Sequence, residues 1–171
     1  MYQWRVTKYN PRFRNRQGVY QVEDWTCVSD IGKTFNGHRL ELEEYLATEE
    51  RYVLTAMHFL EESGLSSLEV RELEADQEVS PTVKHIGLDN LLLQGSELHE
   101  KQKLSKTEIA RACRLNLRNL LWCKLEETGK FFIHFGYDYY MYVGSLLPCP
   151  DSISYSQEIG IFVETMSSPY N

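Results

Sequence analysis

Between Phe131 and Tyr142 the chain reads Phe-Phe-Ile-His-Phe-Gly-Tyr-Asp-Tyr-Tyr-Met-Tyr, with three phenylalanines and four tyrosines in twelve residues. Aromatic and β-branched residues favour strands, and Gly136-Tyr137-Asp138 stands where a short hairpin connection belongs. Strand side chains alternate between two faces, so such a pair cannot hide every ring on one side and some tyrosines must emerge. Tyr137, Tyr139, Tyr140 and Tyr142, with Asp138, are therefore candidate contacts, because tyrosine combines a large apolar area, a hydroxyl and little entropy to lose. A sheet core whose tyrosine hydroxyls reach the surface accounts for the same run.

Around this hairpin the periodicity changes twice. Tyr2 to Tyr9 alternates like a half-buried strand, broken by Asn10-Pro11, and Tyr20 to Val22 reads as a second short strand. Asp24 is placed to cap a turn leading to Ser29-Asp30-Ile31-Gly32. From Leu42 to Ser63, Tyr45, Leu46, Val53, Met57 and Leu60 mark one buried helical face, with Gly64 as the stop. Ser67 to Leu73 alternates as a strand, closed by Asp76 to Pro81. Ser105 and Glu108 form a capping box opening a second helix, predicted to run to about Glu126. Ile109, Ala112, Cys113, Leu117, Leu120 and Leu121 would line its inner face and Arg111, Arg114 and Arg118 the other. Phe131–Phe135, Tyr139–Val143 and Gly160–Glu164 complete the order β-β-α-β-α-β-β-β. That order predicts an α+β fold, a mostly antiparallel sheet with two main helices packed on one face, and 171 residues fit a single domain spanning 1–171.

Charge is unevenly placed. The net charge is −7, yet from Glu41 to Glu78 there are twelve acids against two bases, Arg51 and Arg71. Glu43, Glu44, Glu49, Glu50, Glu61 and Glu62 are thereby candidate borders of a docking surface for a basic protein, since clustered charge steers an oppositely charged partner. A solvated helix face reads the same way. Phosphate binding needs a concentrated basic footprint, which speaks against nucleic acid as a direct ligand. One local exception is the N-terminal run Arg5, Lys8, Arg12, Arg14 and Arg16 among Trp4, Tyr9 and Phe13, where an RNA contact is the alternative.

Motifs for chemistry are sparse. The cysteines Cys27, Cys113, Cys123 and Cys149 form no C-x-x-C pair, and the five histidines form no H-x-x-x-H or H-E-x-x-H. No glycine-rich phosphate fingerprint occurs, so no cofactor and no metal is expected, and no residue is assigned a catalytic role. An enzyme built from scattered residues, a small hydrolase or transferase using His134, Asp138 and Cys123, is the competing reading. No apolar run approaches the roughly 20 residues of a membrane span, and the start carries no h-region, so a soluble, cytoplasmic chain is expected.

Three strings, Trp4-Arg5-Val6-Thr7-Lys8-Tyr9-Asn10-Pro11, the Trp25–Gly32 stretch ending Ser29-Asp30-Ile31-Gly32, and Phe135-Gly136-Tyr137-Asp138-Tyr139-Tyr140-Met141-Tyr142, resemble those of small bacterial immunity proteins of contact-dependent inhibition and related polymorphic toxin systems. The resemblance implies a protein that binds a cognate toxin domain, often a basic nuclease, in the cytosol and blocks its active site or its access to substrate. No functional residue is attached to these strings. The acidic segment agrees with a basic partner.

Overall fold

The computed structural model describes residues 1–75 and 78–170. Its strands are β1 (Tyr2–Thr7), β2 (Thr34–Phe35), β3 (His38–Arg39), β4 (Ser67–Glu74), β5 (Lys103–Ser105), β6 (Trp122–Glu127), β7 (Phe131–Phe135), β8 (Met141–Ser145) and β9 (Phe162–Thr165). Its helices are α1 (Leu42–Glu62), α2 (Pro81–His85), α3 (Lys106–Leu117) and α4 (Pro150–Glu158). The fold is α+β. Seven strands form one antiparallel sheet in the order β5-β4-β6-β7-β8-β1-β9, and β2 and β3 make a separate ribbon.

Alternation sorts the strands' side chains. Trp4, Val6, Leu68, Val70, Cys123, Leu125, Ile133 and Val143 are buried in one apolar cluster with Phe59 and Leu60 of α1 and Ile109 and Cys113 of α3. The opposite face carries Arg5, Lys124, Glu126, Phe132, His134, Tyr142 and Glu164. Phe132 lies directly across β7–β8 from Gly144, where any Cβ would come within 2.2 Å of its ring. The ring occupies the space a side chain would need, so glycine there is a packing requirement.

The first helix forms as its periodicity predicts. Tyr45, Val53 and Leu60 are buried together with Tyr52, Ala56 and Phe59, while Leu46 and Met57 are half-buried at the margin. Gly64, at φ +72°, donates its N–H to Glu61 O, and Leu65 donates to Leu60 O, closing the helix in the left-handed manner that favours glycine.

The second helix is shorter than the sequence predicts. Its capping box forms, with Glu108 accepting from Ser105 N at 2.8 Å. The helix ends at Leu117 because Asn119 turns left-handed (φ +51°) and Leu120 donates its N–H to Leu115 O. Asn116 then accepts from Cys123 N at 2.9 Å, and the residues from Trp122 to Glu127 become a strand in the sheet interior rather than helix. Leu120, Leu121 and Leu125 satisfy a helical period and a buried strand equally well.

Three smaller expectations also change. Tyr20 to Val22 is reduced to one bridge, Arg14 to Tyr20. The 28–30 turn is capped by Asp30, which accepts from Thr26 N and Cys27 N, whereas Asp24 pairs with Lys8 at 2.7 Å. A third substantial helix, α4, follows Cys149, with Pro150 in its first turn. The closing turn expected from Asp76 to Pro81 lies partly outside the described residues.

Candidate functional site

The β7–β8 connection is a two-residue turn: Gly136 donates to Tyr140 O (2.9 Å) and Tyr140 to Tyr137 O (3.2 Å), with Asp138 and Tyr139 both left-handed at φ +56° and +60°. Such turns usually carry Asn-Gly, because a bulky residue at positive φ is strained. Here burial offsets the strain. Tyr139 is 5% exposed, its ring 4.8 Å from Trp25, 5.0 Å from Tyr52 and 5.8 Å from Tyr45. Two further hydroxyls hold the turn's carbonyls: Tyr52 donates to Tyr139 O at 2.8 Å, and Tyr9 to Asp138 O at 2.9 Å. The tip is thus fixed from inside, and it presents Tyr137, 86% exposed, beside Asp138.

This tip forms one wall of a cleft of about 680 Å³. Thr26, Cys27 and Ser29 face it from the turn before α1, Asn116 and Asn119 from the end of α3, Trp122 from β6, Glu74 and Glu78 from the end of β4 and beyond, and Tyr140 and Tyr170 from the open side. Among the described residues three carboxylates line it and no lysine, arginine or histidine does. The arrangement suits a cation entering between aromatic rings, where ring quadrupoles and carboxylates act with the same sign.

Among the residues expected at a partner surface, Tyr137, Asp138, Tyr139 and Tyr140 line this cleft, although the Tyr139 ring belongs to the core. Tyr142 is buried on the open sheet face beside Tyr170. The six glutamates are mostly engaged within the chain. Glu49, 2% exposed, makes a two-point ion pair with Arg118 at 2.7 Å on both oxygens. Glu50 pairs with Arg114, Glu61 with Lys106, and Glu44 with His38. Burial raises the Glu62 carboxyl, but its bonds from Ser152 Oγ, Ser152 N and Asp151 N outweigh that and hold it below its ordinary value, capping α4. Glu43 is exposed. The arginines on the outer face of α3 are what the acidic helix meets, so the acidic stretch is only in small part a free surface. Sequence reasoning missed Glu74 and Trp122, which reach the cleft as paired residues of β4 and β6, and Glu78 beyond the end of β4; no local pattern marks any of them.

The scattered enzyme site does not assemble. Cys123 faces the helices, on the same face as Leu125 two residues on, whereas His134 faces the opposite side of the sheet, next to Ile133, the cross-strand partner of Leu125. Burial pushes the Cys123 thiol up to about 11 and the Cys113 thiol up to about 12, away from thiolate chemistry. His134 instead sits 2.8 Å from Glu126 through Nε2 and 3.0 Å from Ser168 Oγ through Nδ1. Burial lowers its pKa, so a neutral ring donating to Glu126 and accepting from Ser168 satisfies both contacts. Ser168 Oγ also accepts from Tyr170 N at 3.2 Å, which ties the segment after β9 across the sheet.

In the basic N-terminal run, Arg14 donates to both oxygens of Glu164 and to Tyr140 Oη, and Arg5 shares the same carboxylate. Lys8 pairs with Asp24 and lies 4.2 Å and 4.0 Å over the rings of Tyr9 and Trp25; burial pushes its amine down to about 8. Arg12 and Arg16 remain exposed. Among the described residues no group of three or more His, Cys, Asp or Glu is placed to hold a metal ion, and no helix is long and apolar enough to cross a membrane. Comparison with known protein families, with curated proteins and with solved structures finds no match.

Proposed function

We propose that this chain is an immunity protein that binds a cognate toxin domain, a basic nuclease, in the cytosol and neutralises it by covering its active site or the path of its substrate. The cleft beside the Tyr137-Asp138 tip carries the reading. Its aromatic walls, whose charged groups among the described residues are all acidic, complement the lysine and arginine side chains with which a nuclease holds phosphates. The internally braced turn supports it too, because a rim ordered before binding loses little entropy on association. An interface of roughly 1,600 Å² centred on Tyr137 and Tyr140 would suffice, with few anchors supplying most of the affinity.

The test is co-expression with the product of the reading frame next to this chain's own. A one-to-one complex that abolishes the partner's toxicity, weakened at least about tenfold by Tyr137→Ala with Asp138→Lys, is the expected result. Unrestrained toxicity with no complex overturns the reading. The Glu126–His134–Ser168 chain favours a second reading, an acyl hydrolase with Ser168 as nucleophile. Ester turnover lost in Ser168→Ala would establish it, and the absence of turnover in the folded protein would dismiss it.

A further inference from the structure

The outer face of α3 lines a second cavity, about 500 Å³, which shares no residue with the acidic cleft. Arg111, Arg114 and Arg118 form one side, Asn90 and Gln94 the other, with Thr107 at the first turn of the helix. Every polar side chain lining it can donate a hydrogen bond, and no carboxylate lines it among the described residues. Two guanidiniums are also held by α1, Arg118 by Glu49 and Arg114 by Glu50; their Nη1 groups donate to Leu88 O at 3.2 Å and Ala110 O at 3.3 Å, which leaves each its second Nη hydrogens.

Arg111 differs from them. It has no carboxylate partner among the described residues; the nearby carboxylate of Glu108 is taken up by Ser105. Its two Nη groups donate to Ser96 O at 3.0 Å and Leu91 O at 3.4 Å, and its Nε is buried without an acceptor. A buried donor left unsatisfied, on a charged group above all, is costly and signals a missing acceptor.

We propose that this cavity binds a phosphate group, free or carried by a small molecule. Three guanidiniums held by two carboxylates leave one positive charge in excess, and donors converge from a helix, its first turn and the facing 90–94 segment. A tetrahedral anion with several acceptor oxygens meets such a set better than a planar carboxylate. The site is independent of the reading given to the acidic cleft.

Isothermal titration calorimetry decides it, using inorganic phosphate, a nucleoside monophosphate and chloride at matched ionic strength. Saturable phosphate binding in the millimolar range or tighter, absent with chloride and weakened at least about tenfold by Arg111→Gln, is expected. Tighter binding of the monophosphate than of phosphate would identify a phosphorylated molecule as the ligand, and equal binding the free ion. Because Arg111 also holds two carbonyls, Gln94→Ala serves as a second variant, expected to weaken binding several-fold without altering the unliganded melting temperature. No saturable heat with about 10 mM phosphate, or equal affinity in both variants and wild type, overturns the proposal.

Discussion

Replacing Glu49 by glutamine leaves Arg118 charged and largely enclosed without its two-point partner, which costs about 3 kcal/mol when the lost partner is a buried charge. Urea melts of Glu49→Gln should show that loss, whereas Glu43→Gln, on the solvent side of the same helix, should leave the midpoint unchanged. Charge pattern alone cannot separate the two residues, because the arginine that distinguishes them is contributed by another helix. Asp138 offers the opposite case. At φ +56° it holds a left-handed turn position that aspartate tolerates, so Asp138→Gly should leave stability within about 0.5 kcal/mol while weakening the partner complex, read by thermal melting and by affinity on the same sample.

Among the elements, the β7–β8 pair depends on the fit of Phe132 over Gly144. Gly144→Ala should destabilise by about 2 kcal/mol, and Phe132→Leu in the same chain should recover part of it, giving a non-additive double-mutant cycle. β1, α1, β4 and the last three strands were legible in the sequence because each carries its own period and its own stop. The α3–β6 boundary was not. Leu120, Leu121 and Leu125 continue a helical count, and the stop is an asparagine in a left-handed conformation rather than a glycine. Of the candidate site, Tyr137 and Asp138 were visible as the tip of an aromatic hairpin. Glu74 and Trp122 were not, since only the antiparallel pairing of β4 with β6 places them side by side, and Glu78 lies beyond β4 with no local pattern to mark it.

At the scale of the whole molecule, buried ionisable groups set opposing pH dependences. Lys8 has its amine lowered to about 8 by burial, so between pH 8 and 10 the unfolded chain binds the extra proton and its contribution to stability rises with pH. Burial raises Tyr9, Tyr45, Tyr52 and Tyr139 above the usual phenol range, so above pH 10 the unfolded chain loses protons first and stability falls. His134, with its pKa lowered by burial, adds a loss of stability as pH drops below the ordinary histidine range near 6.5. Burial also raises the Cys113 and Cys123 thiols, to about 12 and about 11, so their loss of stability sets in near pH 9 and outweighs the gain from Lys8; urea midpoints should fall from about pH 9 upward, and Lys8→Met should steepen the fall.

The sheet order carries one more implication. β1 comes first in the chain, yet its neighbours are β8 and β9, at residues 141–145 and 162–165. During synthesis on a ribosome, at about 5–20 residues per second, Trp4 and Val6 wait on the order of ten seconds before either neighbour has been made. The β4-β6-β7 meander can assemble in that interval, so the nascent chain holds a partial sheet and an unpaired β1 until β8 and β9 have been made, the stage at which a chaperone has most to shield.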